Sequence, residues 1–329
     1  MGTDRVKATT DLGFLVRPPT TDDAEAVTAV VRACELDHWG KAEYTVEELR
    51  DEWRHRPDFR LATDAWVVDL AGQVVAYAET WAVRPVRLGG YGRVHPAFRG
   101  RGIGANLFRL IERRARELEP EAPEGLRVVV DGGTAIHDQM ARSLFEAHGY
   151  RTVRHFWRMI IDLTESPAPP TWPEGITVRP IVPGADDFLV FTTHQESFQD
   201  HWGFYPAVFE SWRQARMSGA HFDPSLWFLA MTGEEAVGIV LCGQTAEASW
   251  VNNLGVRRPW RKRGIGEALL RHAFGEFYRR GRRHVALGVD AQNPTGAVAL
   301  YERAGMRVAQ EYVDFEKELR SGAEYVSAL

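Results

Sequence analysis

The chain has 329 residues, of which 44% are hydrophobic and 26% charged, and this balance excludes a chain that is disordered throughout. Its net charge of -5 gives no overall attraction to nucleic acid or to anionic membranes. The two cysteines, Cys34 and Cys242, are too few for a disulfide framework and form no Cys-x-x-Cys zinc motif. Since the N-terminus lacks a signal-peptide core and no apolar stretch approaches the ~20 residues of a membrane helix, we expect a cytoplasmic protein with neither nucleic acid nor membrane as partner.

Short motifs of the first half recur in the second half, which predicts two related domains. Three motifs recur at spacings of 162 or 163 residues: Val16-Arg17-Pro18 as Val178-Arg179-Pro180, Asp37-His38-Trp39-Gly40 as Asp200-His201-Trp202-Gly203, and Arg101-Gly102-Ile103-Gly104 as Arg263-Gly264-Ile265-Gly266. A repeat of this length indicates a duplicated domain rather than a solenoid. The proline-rich segment 166–173 therefore predicts a linker between an N-terminal domain, 1–165, and a C-terminal domain, 174–329.

Each copy predicts the same order of elements along the chain. A short strand (Phe14–Arg17 or Ile176–Arg179) leads into helices, and a hairpin with Gly72 or Gly233 at its turn follows. Another strand ends at Val94 or Val256, before a glycine-rich turn and an amphipathic helix. A β-branched strand, a helix and a final strand (Arg158–Asp162 or Tyr312–Glu316) close each copy. The predicted class is α/β: two tandem domains, each a mixed, mostly antiparallel twisted sheet flanked by helices.

The glycine-rich turns, 99–104 and 261–266, predict an anion site in each copy. Unpaired N–H groups at the start of a helix attract phosphate oxygens, and glycine permits a close approach. A Walker loop is excluded because Ala105-Asn106 and Glu267-Ala268 follow the last glycines. A Rossmann loop is excluded because Leu107 and Leu269 stand where its third glycine belongs.

Both turns resemble the acetyl-CoA loop of the GNAT N-acetyltransferase superfamily. Val94-His95-Pro96, ahead of the first turn, and Asp290–Met306, after the second turn, also resemble segments of that superfamily. The resemblance covers both halves, and the tandem layout is similar to that of the mycothiol synthases, a two-copy group within the superfamily. It implies the GNAT fold, acetyl-CoA as cofactor and acetyl transfer to an amine. The acceptor is not specified by these motifs.

The resemblance also implies roles for individual residues. The loops would bind the CoA pyrophosphate, through Arg261, Lys262, Arg263, Gly264, Ile265 and Gly266, and through Arg99, Gly100, Arg101, Gly102, Ile103 and Gly104. The strand before each loop would bind the pantetheine arm, at Leu254 and Val256 and at Val94. Asn293 matches a position that contacts the pantetheine. Tyr301 matches the tyrosine that protonates the departing thiolate.

The two copies differ at the last two of these positions. Asn293 aligns with His137, and Tyr301 aligns with Phe145, which has no proton to give. We therefore expect the C-terminal copy to be catalytic and the N-terminal copy to be degenerate. Whether the N-terminal copy still binds CoA or only acts as a scaffold stays open at this stage.

The acceptor side is less clearly marked in the sequence. Glu247 is the nearest carboxylate for a general base, and Asp200, His201 and Trp202 lie where the family covers its acceptor. Asp-His-Trp-Gly occurs in both copies, which favours a structural role. No metal motif is present.

We expect direct acetyl transfer to a primary amine of a small molecule through a ternary complex. The alternatives are acetylation of a cysteinyl pseudodisaccharide, as in the mycothiol synthases, and a non-catalytic acyl-CoA-binding module. Monomer and homodimer both remain open.

Overall fold

The computed structural model describes residues 8–9, 13–56, 58–84, 86–218, 222–245 and 248–325. The chain divides into two compact units. The N-terminal unit combines the described residues up to Arg154 with those from Tyr312 onward, and the C-terminal unit contains His155–Glu311. The helices are α1 (Ala24–Trp39), α2 (Val46–His55), α3 (Leu61–Asp64), α4 (Ile103–Leu118), α5 (Gln139–Ala147), α6 (Asp187–Phe198), α7 (Phe209–Met217), α8 (Ile265–Arg279) and α9 (Ala297–Arg303).

Among the described residues, the strands and helices follow the same order in both halves of the chain, except that the first half has one additional strand at its start and the additional short helix α3. They are β1 (Ala8–Thr9), β2 (Leu15–Arg17), β3 (Ala65–Leu70), β4 (Gln73–Arg84), β5 (Arg87–Val94), β6 (Val128–Ala135), β7 (Arg151–Asp162), β8 (Thr177–Pro180), β9 (Trp227–Thr232), β10 (Glu235–Gln244), β11 (Ser249–Val256), β12 (His284–Asp290) and β13 (Arg307–Arg320). This confirms the predicted class: a mixed, mostly antiparallel sheet flanked by helices.

The sheet of the N-terminal unit runs in the order β1-β2-β3-β4-β5-β6-β13. All neighbours are antiparallel except β5 and β6, which are parallel where Arg87–Gly89 faces Val129–Asp131. Helix α4 buries Ile103, Leu107, Ile111 and Ala115 against this sheet, at a spacing of four residues that places all of them on one face.

The C-terminal unit has the order β7-β12-β11-β10-β9-β8. Its only parallel pair among the described residues is β11 with β12, where Ser249–Trp250 faces Val285–Ala286. Helix α8 buries Leu269, Ala273 and Phe277 in the core of this unit. The two units thus repeat one architecture, as the sequence repeat predicts.

The final strands do not close the copies to which they belong in sequence, so that expectation is wrong. Phe156–Asp162 of β7 pairs with β12 in the C-terminal unit. Tyr312–Arg320 of β13 pairs with β6 in the N-terminal unit. The predicted ranges 1–165 and 174–329 would put β7 in the N-terminal domain and β13 in the C-terminal domain. In the structure, β7 pairs in the C-terminal unit and β13 in the N-terminal unit, so the two last strands are exchanged. Since the copies are homologous, each last strand fits the equivalent slot of either sheet.

The repeated Val-Arg-Pro motif places an arginine where it can hold the start of the first helix. Arg17 makes two hydrogen bonds to the Asp23 carboxylate, at 2.8 and 2.7 Å. Arg179 does the same with Asp186, at 2.6 and 2.8 Å. A bidentate pair fixes geometry as well as adding energy. The motif is therefore structural in both units.

Candidate active site

The glycine-rich loop of the C-terminal unit has the backbone of an anion site. Gly264 has a φ of 85° and precedes α8 as its N-cap. The N–H of Ala268 makes the first helical hydrogen bond, to the Gly264 carbonyl at 3.0 Å. The N–H groups before it have no partner within the helix and lie at the positive end of its dipole. The loop can therefore bind a phosphate group.

The loop of the N-terminal unit has the same conformation. Gly102 has a φ of 76° and precedes α4, and the Asn106 N–H bonds to its carbonyl at 3.1 Å. Gly100 also has a φ of 76°, and its equivalent in the other loop is Lys262, which adopts a φ of 62° although it is not glycine. Both loops are thus built to present N–H groups in the same way.

The aspartate of the repeated Asp-His-Trp-Gly motif is bonded to the loop. Asp200 pairs with Arg258 and, at 2.5 Å, with Arg261. Hydrogen bonding from Arg258 lowers the pKa of Asp200, so its carboxylate is firmly ionised. The equivalent Asp37 pairs with Arg99 at 2.6 Å. This ion pair connects the last turn of α1, or the turn after α6, to the loop of the same unit, and explains why the motif occurs twice.

The predicted pyrophosphate-binding arginines are therefore only partly available to a ligand. Arg261 also bonds to the carbonyls of Ser197 and Val256, at 3.0 and 3.1 Å. Arg263 bonds to the Pro259 carbonyl at 3.1 Å. Both guanidiniums thus help to shape the loop, which leaves phosphate contact chiefly to the backbone N–H groups.

The strands ahead of the loops diverge where a ligand could enter. β11 and β12 are paired only as far as Trp250 and Ala286, so Leu254 and Val256 lie on the part of β11 that has separated from β12. Val94 occupies the same place on β5 in the N-terminal unit. Separated parallel strands leave backbone N–H and C=O groups that a bound molecule can pair with.

Asn293 and Tyr301 belong to the same unit as the 261–266 loop. Asn293 accepts hydrogen bonds from the backbone N–H and the hydroxyl of Thr295, at 2.8 and 2.5 Å, and so shapes the turn before α9. Tyr301 lies on α9 and is 7% exposed. Burial raises the pKa of Tyr301 to about 12, so the phenol keeps its proton at neutral pH. Within the described ranges, no residue hydrogen-bonds to its hydroxyl.

The remaining predicted residues are less informative. His201 and Trp202 follow Asp200 in the turn after α6 and are half-buried. The His201 ring lies 4.6 Å from that of Phe198. Glu247 lies outside the described residues. In the described part of the chain, no group of three or more His, Cys, Asp or Glu side chains could hold a metal ion, and no helix is long and apolar enough to cross a membrane.

A cavity of about 330 Å³ lies in the N-terminal unit, next to its glycine-rich loop. Its walls include Gly92 and Val94 of β5, the loop glycines Gly100, Gly102 and Gly104, and Phe145. Phe145 stacks on Phe315 with ring centroids 4.5 Å apart. The cavity therefore lies where the family resemblance places CoA, in the copy that lacks the tyrosine.

Two polar groups of the N-terminal unit were missed by the sequence analysis. His38 Nε2 lies 3.0 Å from Asp138 Oδ2 at the wall of the cavity. On the α2 side, the buried Glu79 accepts from the Tyr77 hydroxyl at 2.5 Å and pairs with Arg56 at 2.8 Å. Alternate polar positions along the apolar strand β4 could have indicated Glu79. Nothing in the sequence joins His38 to Asp138, which is 100 residues away.

The comparisons with known proteins agree with this geometry. The model described as "Acetyltransferase (GNAT) family" matches residues 189–306, and that described as "Acetyltransferase (GNAT) domain" matches 62–152. The mycothiol acetyltransferase of Streptomyces scabiei (strain 87.22) is 32% identical over 70% of this chain and 70% of its own. That of Salinispora arenicola (strain CNS-205) is 31% identical over 84% of this chain and 86% of its own.

A solved structure extends the agreement to the whole chain. The GCN5-related N-acetyltransferase from Sphaerobacter thermophilus is 38% identical, with a TM-score of 0.84 over 98% of this chain and all of that one. The chain belongs to the GNAT acetyltransferase family and carries two GNAT domains in tandem. It is an acetyl-CoA-dependent acetyltransferase, as predicted.

Proposed function

We propose that this acetyltransferase transfers the acetyl group directly to a primary amine of a small-molecule acceptor, with both substrates bound together in the C-terminal unit. The observation that carries the proposal is the contrast between Tyr301 and Phe145. The C-terminal unit has a protonated phenol at this position of the fold, and the N-terminal unit has a ring without a hydroxyl. Only the first can protonate a departing thiolate.

Different residues of the C-terminal unit bind the cofactor and donate the proton. Backbone N–H groups of 261–266 hold the pyrophosphate, and the separated part of β11 at Leu254 and Val256 holds the pantetheine arm. Asn293 uses its side-chain oxygen within its own turn, which leaves its amide N–H groups for a ligand. As the amine nitrogen bonds to the acetyl carbon and the C–S bond breaks, Tyr301 gives its proton to the sulfur.

Glu247 is the proposed general base that takes the proton from the amine. A Glu247→Gln variant should lose rate most strongly at low pH, where fewer acceptor molecules carry a free amine. If the pH profile is unchanged by the substitution, another group or water takes the proton.

A cysteinyl pseudodisaccharide is the acceptor that the relatives support best, because several of them are named mycothiol acetyltransferase. Its cysteinyl amine is the primary amine that the proposal requires. Asp200 was predicted to bind the acceptor, but its pairing with Arg258 and Arg261 supports a structural role instead.

The experiment is a product analysis of the full chain with acetyl-CoA and either the cysteinyl pseudodisaccharide or a panel of other small primary amines. We expect an N-acetylated product, and initial-rate patterns that intersect because both substrates bind before any product leaves. Parallel patterns would indicate a covalent acetyl-enzyme and contradict direct transfer. A product formed only from another amine would overturn the choice of acceptor but not the reaction.

A further inference from the structure

The C-terminal unit has an arginine that is bound to a neutral side chain. Arg216, in the last turn of α7, donates a hydrogen bond at 2.6 Å to the side-chain oxygen of Asn253 on β11. In the described part of the chain, no carboxylate forms an ion pair with Arg216. Arg213, one turn earlier on the same helix, does pair with a carboxylate, that of Glu210 at 3.2 Å. The positive charge of Arg216 is therefore not balanced locally.

This charge lies where the surrounding protein reduces its hydration. Arg216 is exposed as a residue, yet burial of its guanidinium lowers the pKa of Arg216. Four residues earlier, on the same face of α7, Trp212 is only 6% exposed, and its indole N–H has no hydrogen-bond partner among the described residues. This face of α7 thus carries a poorly hydrated cation that solvent and small ligands can still reach.

Strand β11 places Asn253 beside the proposed path of the pantetheine arm. A side chain added at Gly255 would lie 2.7 Å from Ser197 of α6, so this position faces α6. Asn253 is two residues earlier and faces the same way, whereas Leu254, between them, faces the opposite side of the sheet. A molecule bound at Arg216 and Asn253 therefore lies one residue from the part of β11 that is proposed to hold the cofactor.

The groups that this pair offers to a ligand are all hydrogen-bond donors. Since arginine has no acceptor, it is the amide oxygen of Asn253 that faces Arg216, and the amide NH2 group is left for other partners. The guanidinium keeps further N–H groups in a planar fork that matches a carboxylate or a phosphate through two parallel bonds. Donors combined with an unbalanced positive charge select an anion.

The N-terminal unit differs at the equivalent place, where its arginine is neutralised. Tyr91 lies opposite Glu79 in the sheet, just as Asn253 lies opposite Leu241. Arg56, which follows α2, lies 2.8 Å from the Glu79 carboxylate. The C-terminal unit has leucine in place of this glutamate, so its sheet provides no counter-charge at that position.

We propose that Arg216 and Asn253 form an anion subsite in the acceptor site of the C-terminal unit, and that the preferred acceptor is a primary amine that also carries a carboxylate or a phosphate. The inference rests on the proposed function, acetyl transfer to an amine in this unit, and narrows its class of acceptor. The cysteinyl pseudodisaccharide has neither group, since its cysteinyl carboxyl is part of an amide. The two kinds of acceptor should therefore respond differently to loss of Arg216.

The test compares primary amines that differ only in the anionic group, with acetyl-CoA and the full chain. One pair is γ-aminobutyrate and γ-aminobutyramide, and the other is phosphoethanolamine and ethanolamine, so that the pairs distinguish a carboxylate from a phosphate. The pseudodisaccharide is measured beside them. Rates are compared at equal concentrations of free amine, because a nearby anion raises the pKa of an amine.

We expect the anionic member of at least one pair to have a kcat/KM at least about tenfold higher than its neutral partner, through a lower KM. Arg216→Gln should bring this ratio close to one, and Arg216→Lys, which keeps the charge without the fork, should retain part of it. Asn253→Asp should also abolish the ratio, because the new carboxylate pairs with Arg216. The matched control Arg213→Gln should keep the wild-type ratio.

Equal kcat/KM values within both pairs, or a ratio that survives Arg216→Gln, would overturn the inference. Acetylation of the pseudodisaccharide alone, at a rate that Arg216→Gln leaves unchanged, would overturn it while supporting direct acetyl transfer. If no amine is acetylated, the proposed function fails, and calorimetry of the N-acetylated pairs in the presence of CoA decides the subsite separately. Tighter binding of an anionic member, lost in Arg216→Gln, would support the subsite, and equal or absent binding would overturn it.

Discussion

At the scale of single residues, the two copies are most informative where an aspartate pairs with an arginine. Asp200 and Asp37 each bond to the first arginine of a glycine-rich loop, and Asp186 and Asp23 each bond to the arginine of a Val-Arg-Pro motif. These motifs recur because they hold backbone segments in place. Repetition within the chain thus points to structural residues, whereas the difference between Tyr301 and Phe145 supports the proposal that Tyr301 takes part in the chemistry.

The pairing of Asp200 predicts how its removal should act. Asp200→Ala removes the carboxylate that pairs with Arg258 and Arg261, and the loop loses its ion pairs to the turn after α6. We expect acetyl-CoA to bind about tenfold more weakly, equivalent to ~1.4 kcal/mol, with the KM for the amine unchanged. Calorimetry and steady-state kinetics measure the two effects. A raised KM for the amine with unchanged acetyl-CoA affinity would instead support the acceptor role predicted from the sequence.

The Arg17–Asp23 pair predicts a dependence of stability on acidity. Hydrogen bonds from Arg17 lower the pKa of Asp23 to about 2, from an ordinary 3.8. The folded state therefore binds fewer protons than the unfolded state between these values, and the stabilisation present above pH 3.8 is lost as the pH falls toward 2.

Asp23→Asn should remove this acid-sensitive part, on the order of 1 kcal/mol after solvent screening. Urea unfolding at several pH values measures it, with the exposed Asp22→Asn as control. Equal acid sensitivity in wild type and Asp23→Asn would show that the pair does not contribute.

At the scale of elements, the exchange of β7 and β13 is the feature that the sequence could not predict. Alternation and β-branched residues predicted both strands, because those signals are local. They carry no information on which of two homologous sheets a strand joins, because the slots are nearly equivalent. The cavity beside Phe145 was missed for a related reason, since it depends on how far β5 and β6 separate in three dimensions. By contrast, the hairpins, the glycine-rich loops and the helices that follow them were predicted from neighbouring residues alone.

The exchange predicts where core substitutions should act. Phe315 is fully buried in the N-terminal unit although it lies near the C-terminus, and Met159 is fully buried in the C-terminal unit. Phe315→Ala should cost about 3–5 kcal/mol and Met159→Ala about 2–5 kcal/mol.

Hydrogen exchange should locate each effect: faster exchange in β6 for Phe315→Ala, and in β12 for Met159→Ala. The two variants are each other's control, because both remove a buried side chain from an exchanged strand. The reverse distribution would mean that each last strand closes its own copy in solution.

In the whole molecule, each of the two copies of the fold presents a glycine-rich loop. The number of acetyl-CoA molecules that the chain binds therefore shows whether both loops are used. Gly102 and Gly264 have nearly the same φ, 76° and 85°, and a side chain at Gly264 would meet no neighbouring atom within 4 Å. Substitution at each therefore carries the same backbone strain and adds the same charge. The two variants form a matched pair.

We expect calorimetry to count two acetyl-CoA sites in the wild type, and one in each of Gly102→Glu and Gly264→Glu. A carboxylate at the loop repels the pyrophosphate and should weaken that site by at least tenfold. A single site in the wild type that only Gly264→Glu removes would make the N-terminal unit a scaffold. A single site that only Gly102→Glu removes would move the reaction to the other unit.

If Tyr301 supplies the proton in the C-terminal unit, Tyr301→Phe should acetylate the amine far more slowly than the wild type. Removal of a general acid should lower kcat by about 10²–10⁴ with little change in acetyl-CoA affinity. Tyr278→Phe, which removes a phenol hydroxyl from α8 of the same unit, should keep wild-type kcat. A Tyr301→Phe enzyme that retains full kcat in saturating substrates would show that another group protonates the departing thiolate.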